Sequence, residues 1–239
     1  MIESFTTTTS ILLGTAASLA VVHTLLGIDH SLPFVAIGQA RGWTLRRTLS
    51  ITALCGAGHV ASSLFIGGLG AAFGSTLDSL LWVESARGEL AATLLIAFGL
   101  TYAVWALWRS IRGVTHSHIH THADGTVHEH PHDHTGEHTH LHPDRQNLTP
   151  WVLFVIFVFG PCEPLIPLMV VPAMTGSWGV LAGVAGVFGV LTIGTMVTTV
   201  AIGYRTVAMV DRAYITRHAD LVAGLLIAGS GAAVLILDI

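Results

Sequence analysis

Lysine is absent from this chain, and Arg, Asp and Glu together make up only 10% of its 239 residues. Hydrophobic residues make up 52%, and the mean hydropathy is +0.70. So few charges exclude an ordinary soluble domain, and they leave no basic patch with which to bind nucleic acid. We therefore expect an integral membrane protein whose main surroundings are the lipid bilayer.

Cysteine is also scarce, because the chain has only Cys55 and Cys162, both within apolar stretches. Two such residues exclude a disulfide framework of the secreted type. The phosphate-binding motif GxxxxGK[ST] is missing as well, so the sequence gives no sign of an ATP site. Any energy that the protein needs would come from an ion or proton gradient.

Six apolar segments reach the roughly 20 residues that a bilayer crossing requires. They lie near residues 11–40, 47–72, 89–110, 150–175, 178–204 and 219–238. The first is too long for one straight helix and is interrupted by Gly27 and Pro33. The fourth contains four prolines, each of which removes a backbone donor: Pro161, Pro164, Pro167 and Pro172. We predict that helices 1 and 4 are broken. Between the second and third spans, residues 77–82 form a short apolar stretch that we expect to lie along the membrane interface.

The arginines predict the orientation in the membrane. Only Arg87 lies beside the second or fourth connection, whereas nine arginines flank the first, third and fifth: Arg41, Arg46, Arg47, Arg109, Arg112, Arg145, Arg205, Arg212 and Arg217. By the positive-inside rule, those three connections are cytoplasmic and both termini lie outside. The predicted location is the cell (inner) membrane.

The two halves of the chain resemble each other. GHVASSLFIG at residues 58–67 matches GTMVTTVAIG at 194–203, and ELAATLLIA at 89–97 matches DLVAGLLIA at 220–228. Each half has three spans, and three is an odd number, so the second half must be inverted in the membrane. Many secondary transporters are built in this way, with a site where the repeats meet.

The predicted fold is therefore all-α, a polytopic membrane protein with six transmembrane helices in two inverted three-helix repeats. The first repeat covers residues 1–114 and the second covers residues 148–239. A histidine-rich cytoplasmic loop at residues 115–147 joins them. In this alignment residues 27–30 lie opposite residues 160–163, so the two predicted breaks occupy equivalent positions.

The break in the first span carries metal-binding side chains. His23 and His30 are seven residues apart, which is two turns along one helical face, and Asp29 adjoins His30. Gly27 can open the helix so that these side chains converge. A carboxylate at the centre of a bilayer is costly unless it is paired or solvated, so Asp29 indicates a functional site.

Further candidate ligands lie in the second and fourth spans. Cys55 and His59 are four residues apart and share one helical face. Cys162 and Glu163 lie at the break in the fourth span. His59 has a structural alternative, a hydrogen bond across helices, and Cys55 has another, as a small packed hydrophobic residue. Taken together, imidazoles, carboxylates and thiolates favour ions such as nickel, cobalt and zinc over magnesium or calcium.

The loop between the halves contains eleven histidines that alternate with polar or acidic residues around a predicted turn at Asp124 and Gly125. It has almost nothing to bury, so we expect it to be disordered without a ligand. His-rich tracts are typical of metal binding, and the alternative is a solvated, pH-responsive linker. The candidate ligands are His116, His118, His120, His122, His128, His130, His132, His134, His138, His140 and His142.

Four motifs together resemble the nickel/cobalt permeases and their urease-accessory-like and efflux relatives. They are HTLLGIDH at residues 23–30, GAGH at 56–59, the histidine-rich loop with its ADG centre, and GPCEPLIP at 160–167. The resemblance covers most of the chain. It implies transition-metal translocation, with signature positions at His23, Asp29, His30 and His59.

The predicted function is transport of a divalent transition-metal ion, nickel or cobalt first and zinc or iron next, and not an enzymatic reaction. The loop would capture or sense metal, and a cytoplasmic metallochaperone is a candidate partner. Two alternatives stay open. GPCEPLIP also resembles the cysteine segment of membrane thiol-disulfide electron carriers, which would use Cys162, and an accessory protein that stores metal for a metalloenzyme would explain the loop.

Overall fold

The structure is a computed structural model that describes residues 2–72, 76–112, 116–121, 127–132, 148–162, 164–209 and 218–237. Apart from two short strands, the elements of the described residues are all helices, as predicted. The long helices are α1 (Ile2–Leu26), α3 (Leu45–Ala72), α4 (Leu77–Arg112), α7 (Trp178–Met209) and α8 (Ala219–Leu237). The shorter elements are a 3₁₀ helix (Ile28–His30), α2 (Leu32–Ala40), α5 (Leu148–Phe159), α6 (Leu165–Met174) and two strands, β1 (His116–Thr121) and β2 (Val127–His132).

Five helices of the described residues are long and apolar enough to cross a bilayer. Many of their large apolar side chains point outward, and Phe65, Val190 and Ile236 are 66%, 71% and 80% exposed. In water such surfaces would be costly, whereas in lipid they are the favoured surface. The chain is therefore a multi-pass membrane protein.

Both predicted helix breaks are confirmed. The first segment stops at Leu26, passes through Gly27 and the 3₁₀ helix, and resumes as α2, with Pro33 in the first turn of the new helix. The fourth segment stops at Phe159 and resumes at Leu165 after Pro161 and Pro164. Proline is tolerated at a helix start because the missing N–H would be unpaired there anyway.

The expectation for residues 77–82 is wrong. They form the first turns of α4, a single helix of 36 residues, rather than a separate interfacial segment. The charged residues Glu84 and Arg87 precede the predicted third span of residues 89–110, but they are part of this long apolar helix. The ion pair between them, described below, lowers the free-energy cost of burying both charges.

Helix packing is closest between α4 and α8, where glycines let the two backbones touch. A Cβ atom added to Gly224 would lie 2.6 Å from the backbone nitrogen of Ala103, and one added to Gly231 would lie 2.6 Å from the carbonyl oxygen of Ala92. Small residues allow this approach in membranes, where packing replaces the hydrophobic effect between helices. Elsewhere α1 packs on α7, and α3 packs on α5, α6 and α7.

The described part of the loop differs from the expectation of disorder, because β1 and β2 pair as an antiparallel ribbon. The alternation of histidine with other residues has the period of two that a strand requires. The register sets His116 opposite His132, His118 opposite His130, and His120 opposite His128. The predicted turn at Asp124 and Gly125 lies outside the described residues, as do His122, His134, His138, His140 and His142.

Candidate metal site in the membrane

Three of the predicted ligands meet in the interior of the bundle. His23 lies in the last turn of α1, His30 in the 3₁₀ helix and His59 near the middle of α3. One ring nitrogen from each lies within 4.8 Å of the others. The ring centroids of His23 and His30 are 4.9 Å apart, and those of His30 and His59 are 5.1 Å apart. We call these three side chains the imidazole cluster.

Gly27 is the residue that makes this convergence sterically feasible. Its N–H donates to the carbonyl oxygen of His23 at 2.9 Å, which completes the last turn of α1. Its ψ of 94° then turns the chain away from the helical direction. A Cβ atom at this position would overlap Nδ1 of His30, so only glycine lets the ring of His30 fold back toward His23.

Asp29 forms a hydrogen bond with one member of the cluster, His30, and is not one of the three grouped side chains. Its Oδ1 atom lies 3.0 Å from Nδ1 of His30. An ionised carboxylate only accepts hydrogen bonds, so Nδ1 of His30 carries the proton and Nε2 has the free lone pair. Carboxylates commonly orient metal-binding histidines in this manner. The geometry therefore fits Asp29 as a residue that orients a candidate ligand, His30, through a hydrogen bond.

His30 and His59 are buried, His23 is half-buried, and at least one nitrogen of each ring is a buried atom without a hydrogen-bond partner. His30 and His59 are 3% and 2% exposed. The Nε2 atoms of His23, His30 and His59 are buried and make no hydrogen bond. A buried polar atom without a partner is costly, and native structures rarely keep one without a function. Three histidines that have such atoms and whose ring nitrogens come within 4.8 Å of one another have the arrangement of a ligand set.

The fourth span supplies one wall of the site. The ring of Phe157, in α5, lies edge-on to His30 and to His59, with centroids 6.4 and 6.5 Å away. Gly160, at the break, is so close to His59 that an added Cβ would lie 3.0 Å from its Nδ1 atom. The two broken spans therefore both border the imidazole cluster.

The cysteines do not join the cluster. Cys55 packs with Phe34, Leu153 and Met196 in one apolar group, and Cys162 packs in another. Both thiols are free and buried. Among the described residues, only His23, His30 and His59 form a group of three or more side chains that could hold a metal. Glu163 lies outside the described residues.

Sequence reasoning missed a buried ion pair next to the site. Glu84 is 0% exposed and pairs with Arg87, whose side chain is 12% exposed. From the sequence, Arg87 is only the exception to the arginine pattern. The signal was the spacing of three residues between opposite charges inside an apolar helix, which allows the pair to form.

The cluster can bind a cation by coordination. Histidine nitrogens hold zinc at about 2.0–2.1 Å, and imidazole also suits copper, iron and nickel. Three protein ligands leave coordination positions open for water or another ligand. Comparisons with protein-family models, with curated proteins and with solved structures find no match to this chain.

Proposed function

We propose that the chain carries a divalent transition-metal ion across a membrane, and that the ion binds His23, His30 and His59 on the way. The observation that carries this proposal is the set of three buried Nε2 atoms without partners inside a membrane-spanning bundle. Ionisable residues at such depth are expensive and are typically part of ion pathways. Nickel or cobalt is the favoured substrate, in line with the resemblance of HTLLGIDH and GAGH to the permease signature.

The charges of the binding site also suit a divalent cation that has to be released again. Three neutral imidazoles provide lone pairs but no negative charge, and Asp29 supplies a carboxylate through its contact with His30. A neutral ligand set binds less tightly than thiolates would, so the ion can leave again. Transport requires such reversible binding, whereas a structural zinc site uses four tight ligands.

Two inverted repeats remain part of the proposal. A pseudo-twofold axis exchanges the first span with the fourth and the second with the fifth. Contacts between the first and fifth spans should therefore be matched by contacts between the fourth and second. The contacts of α1 with α7 and of α5 and α6 with α3 agree with this exchange, and α4 packs on α8 as the self-related pair would. One half could then rock against the other around the bound ion. The positive-inside rule sets the histidine-rich loop in the cytoplasm.

The test is ion flux in sealed proteoliposomes of known orientation. The full chain should move nickel or cobalt, with zinc and iron as competitors, and His23→Ala, His30→Ala and His59→Ala should each abolish flux. Losing a ligand should cost more than the roughly 10–100-fold effect of losing a ligand's partner. His218→Ala is the matched control because His218 is exposed. Unchanged flux in the three cluster variants would overturn the proposal.

The alternative functions lack comparable support. A thiol electron carrier needs its two cysteines to approach each other, and Cys55 and Cys162 lie in separate apolar groups. Metal storage alone gives no reason for a buried ligand set inside the bundle.

A further inference from the structure

The break in the fourth span leaves backbone groups that need partners far from water. The carbonyl groups at the end of α5 have lost their helical donors, and the N–H of Cys162 has no helical acceptor. Unpaired groups of this kind are costly in a membrane interior, where no water can replace the lost hydrogen bonds. Their partners come from α4 and, for the N–H of Cys162, also from Ser63 of α3, whose Oγ accepts at 3.1 Å.

Arg87 serves the carbonyl side of the break. Its Nη2 atom donates to the carbonyl oxygens of Val158 and Gly160, at 2.8 and 3.2 Å. A positive charge is favourable at this end, because the carbonyls of a helix C-terminus carry partial negative charge.

Glu84 serves the N–H side of the same break. Its Oε2 atom accepts from the backbone N–H of Cys162 at 2.9 Å and from Oγ of Ser63 at 3.0 Å. Its other oxygen accepts from Arg87. One pair of side chains thus binds backbone groups at the end of α5 and in the gap that follows it, and its two charges cancel.

The same network reaches the imidazole cluster. Ser62 lies almost one turn after His59 on α3, and its hydroxyl donates to the carbonyl oxygen of His59 at 2.8 Å. That hydroxyl also accepts from Nη2 of Arg87 at 2.7 Å. Gly160, whose carbonyl oxygen accepts from Arg87, lies beside the ring of His59, where an added Cβ would be 3.0 Å from Nδ1. Arg87 therefore ties together the two segments that position His59.

We propose that Glu84 and Arg87 are positioning residues, which clamp the broken fourth span against His59 and so set the coordination geometry of the transported ion. This inference rests on the proposed metal site. Neither residue touches the ion. Their effect passes through the backbone of residues 158–162 and through Ser62, and it acts on the affinity of the site and on its choice among ions.

The variants are chosen to remove parts of the clamp. Arg87→Lys keeps the positive charge but loses the planar fork that reaches Glu84, Ser62 and two carbonyls together. Glu84→Gln keeps the shape and removes the charge. Ser62→Ala removes only the link between Arg87 and His59. Glu89→Gln is the control, because Glu89 is an exposed carboxylate on the same helix.

The experiment is a titration of the full-length protein with Co²⁺ in detergent, followed by the visible absorption of the bound ion. Each spectrum is taken as the difference from His59→Ala, so the contribution of the loop histidines cancels. Arg87→Lys and Glu84→Gln should weaken Co²⁺ binding at the cluster by about 10–100-fold, as for other groups that orient ligands, and should shift the absorption bands. Glu89→Gln should match the wild-type protein.

Two outcomes separate this inference from the proposed function. If the wild-type protein gives no difference spectrum, the metal site itself is wrong, and this inference fails with it. If the wild-type protein binds Co²⁺ and the folded Arg87→Lys and Glu84→Gln variants keep its bands and affinity, only the positioning role is wrong. If those two variants do not fold, Ser62→Ala decides: shifted bands support the clamp, and wild-type bands overturn it.

Discussion

The Oδ1 atom of Asp29 lies 3.0 Å from Nδ1 of His30, and this contact leaves Nε2 as the nitrogen that His30 can offer to a metal. The other nitrogen is occupied, so the ring cannot rotate without losing a buried hydrogen bond. The carboxylate also raises the electron density of the ring and makes it a better ligand. Asp29 thereby determines which nitrogen of His30 is free to bind a metal.

Asp29→Asn tests this relationship. Asparagine keeps the shape of the side chain but has no charge, so His30 becomes a weaker ligand while the number of ligands stays the same. We expect the apparent affinity for nickel or cobalt in proteoliposome flux to fall by about 10–100-fold. Asp78→Asn, at an exposed carboxylate in the first turn of α4, should behave like the wild-type protein. A wild-type affinity in Asp29→Asn would show that the contact is incidental.

The members of the cluster could be predicted from the sequence because each is an anomaly there. His23, His30 and His59 are imidazoles in apolar segments, and Gly27 marks the place where the helix can open. The cost of burying such groups makes them visible without any knowledge of the fold. The mutual distances depend on how α3 packs against the break, which spacing within one segment does not define.

The roles of Cys55, Glu84 and Arg87 could not be read in the same way. In a helix that is apolar on every side, the face that meets a site looks like the face that meets the core, so the sequence leaves Cys55 both as a candidate ligand and as a packed hydrophobic residue. The cost of a buried charge depends on its partner, and the partners of Arg87 are backbone carbonyls of a distant segment. Backbone partners leave no mark in the sequence.

Replacing both thiols tests the electron-carrier alternative. Cys55 and Cys162 are packed as small apolar side chains, so the double variant Cys55→Ala/Cys162→Ala should keep metal flux near the wild-type rate. The lost packing should cost roughly 1 kcal/mol of stability at each site, visible as a lower thermal midpoint. Flux should survive in each single variant as well. A complete loss of function in well-folded double and single variants would favour thiol chemistry instead.

Deleting residues 115–144 separates capture from translocation. All eleven loop histidines lie in this segment, whereas the imidazole cluster lies in the helical bundle. The deletion should therefore remove most of the metal that co-purifies with the protein, measured by elemental analysis, and leave measurable flux with an altered apparent affinity. A full-length variant with every loop histidine changed to serine controls for the shorter connection. If both variants insert correctly but show no metal flux, the loop is part of the transport pathway.

Gly27→Ala is the sharpest test of the break in the first span. The added methyl group would overlap Nδ1 of His30, and alanine also favours continuation of α1 by about 1 kcal/mol relative to glycine. Both effects push His30 away from His23, so flux and Co²⁺ binding at the cluster should be lost while the protein still inserts. Gly14→Ala is the matched control in the same helix, because nothing lies within 4 Å of an added Cβ there. It should be slightly more stable than the wild-type protein and transport normally. Normal transport by a folded Gly27→Ala variant would mean that His30 reaches the ion without the break.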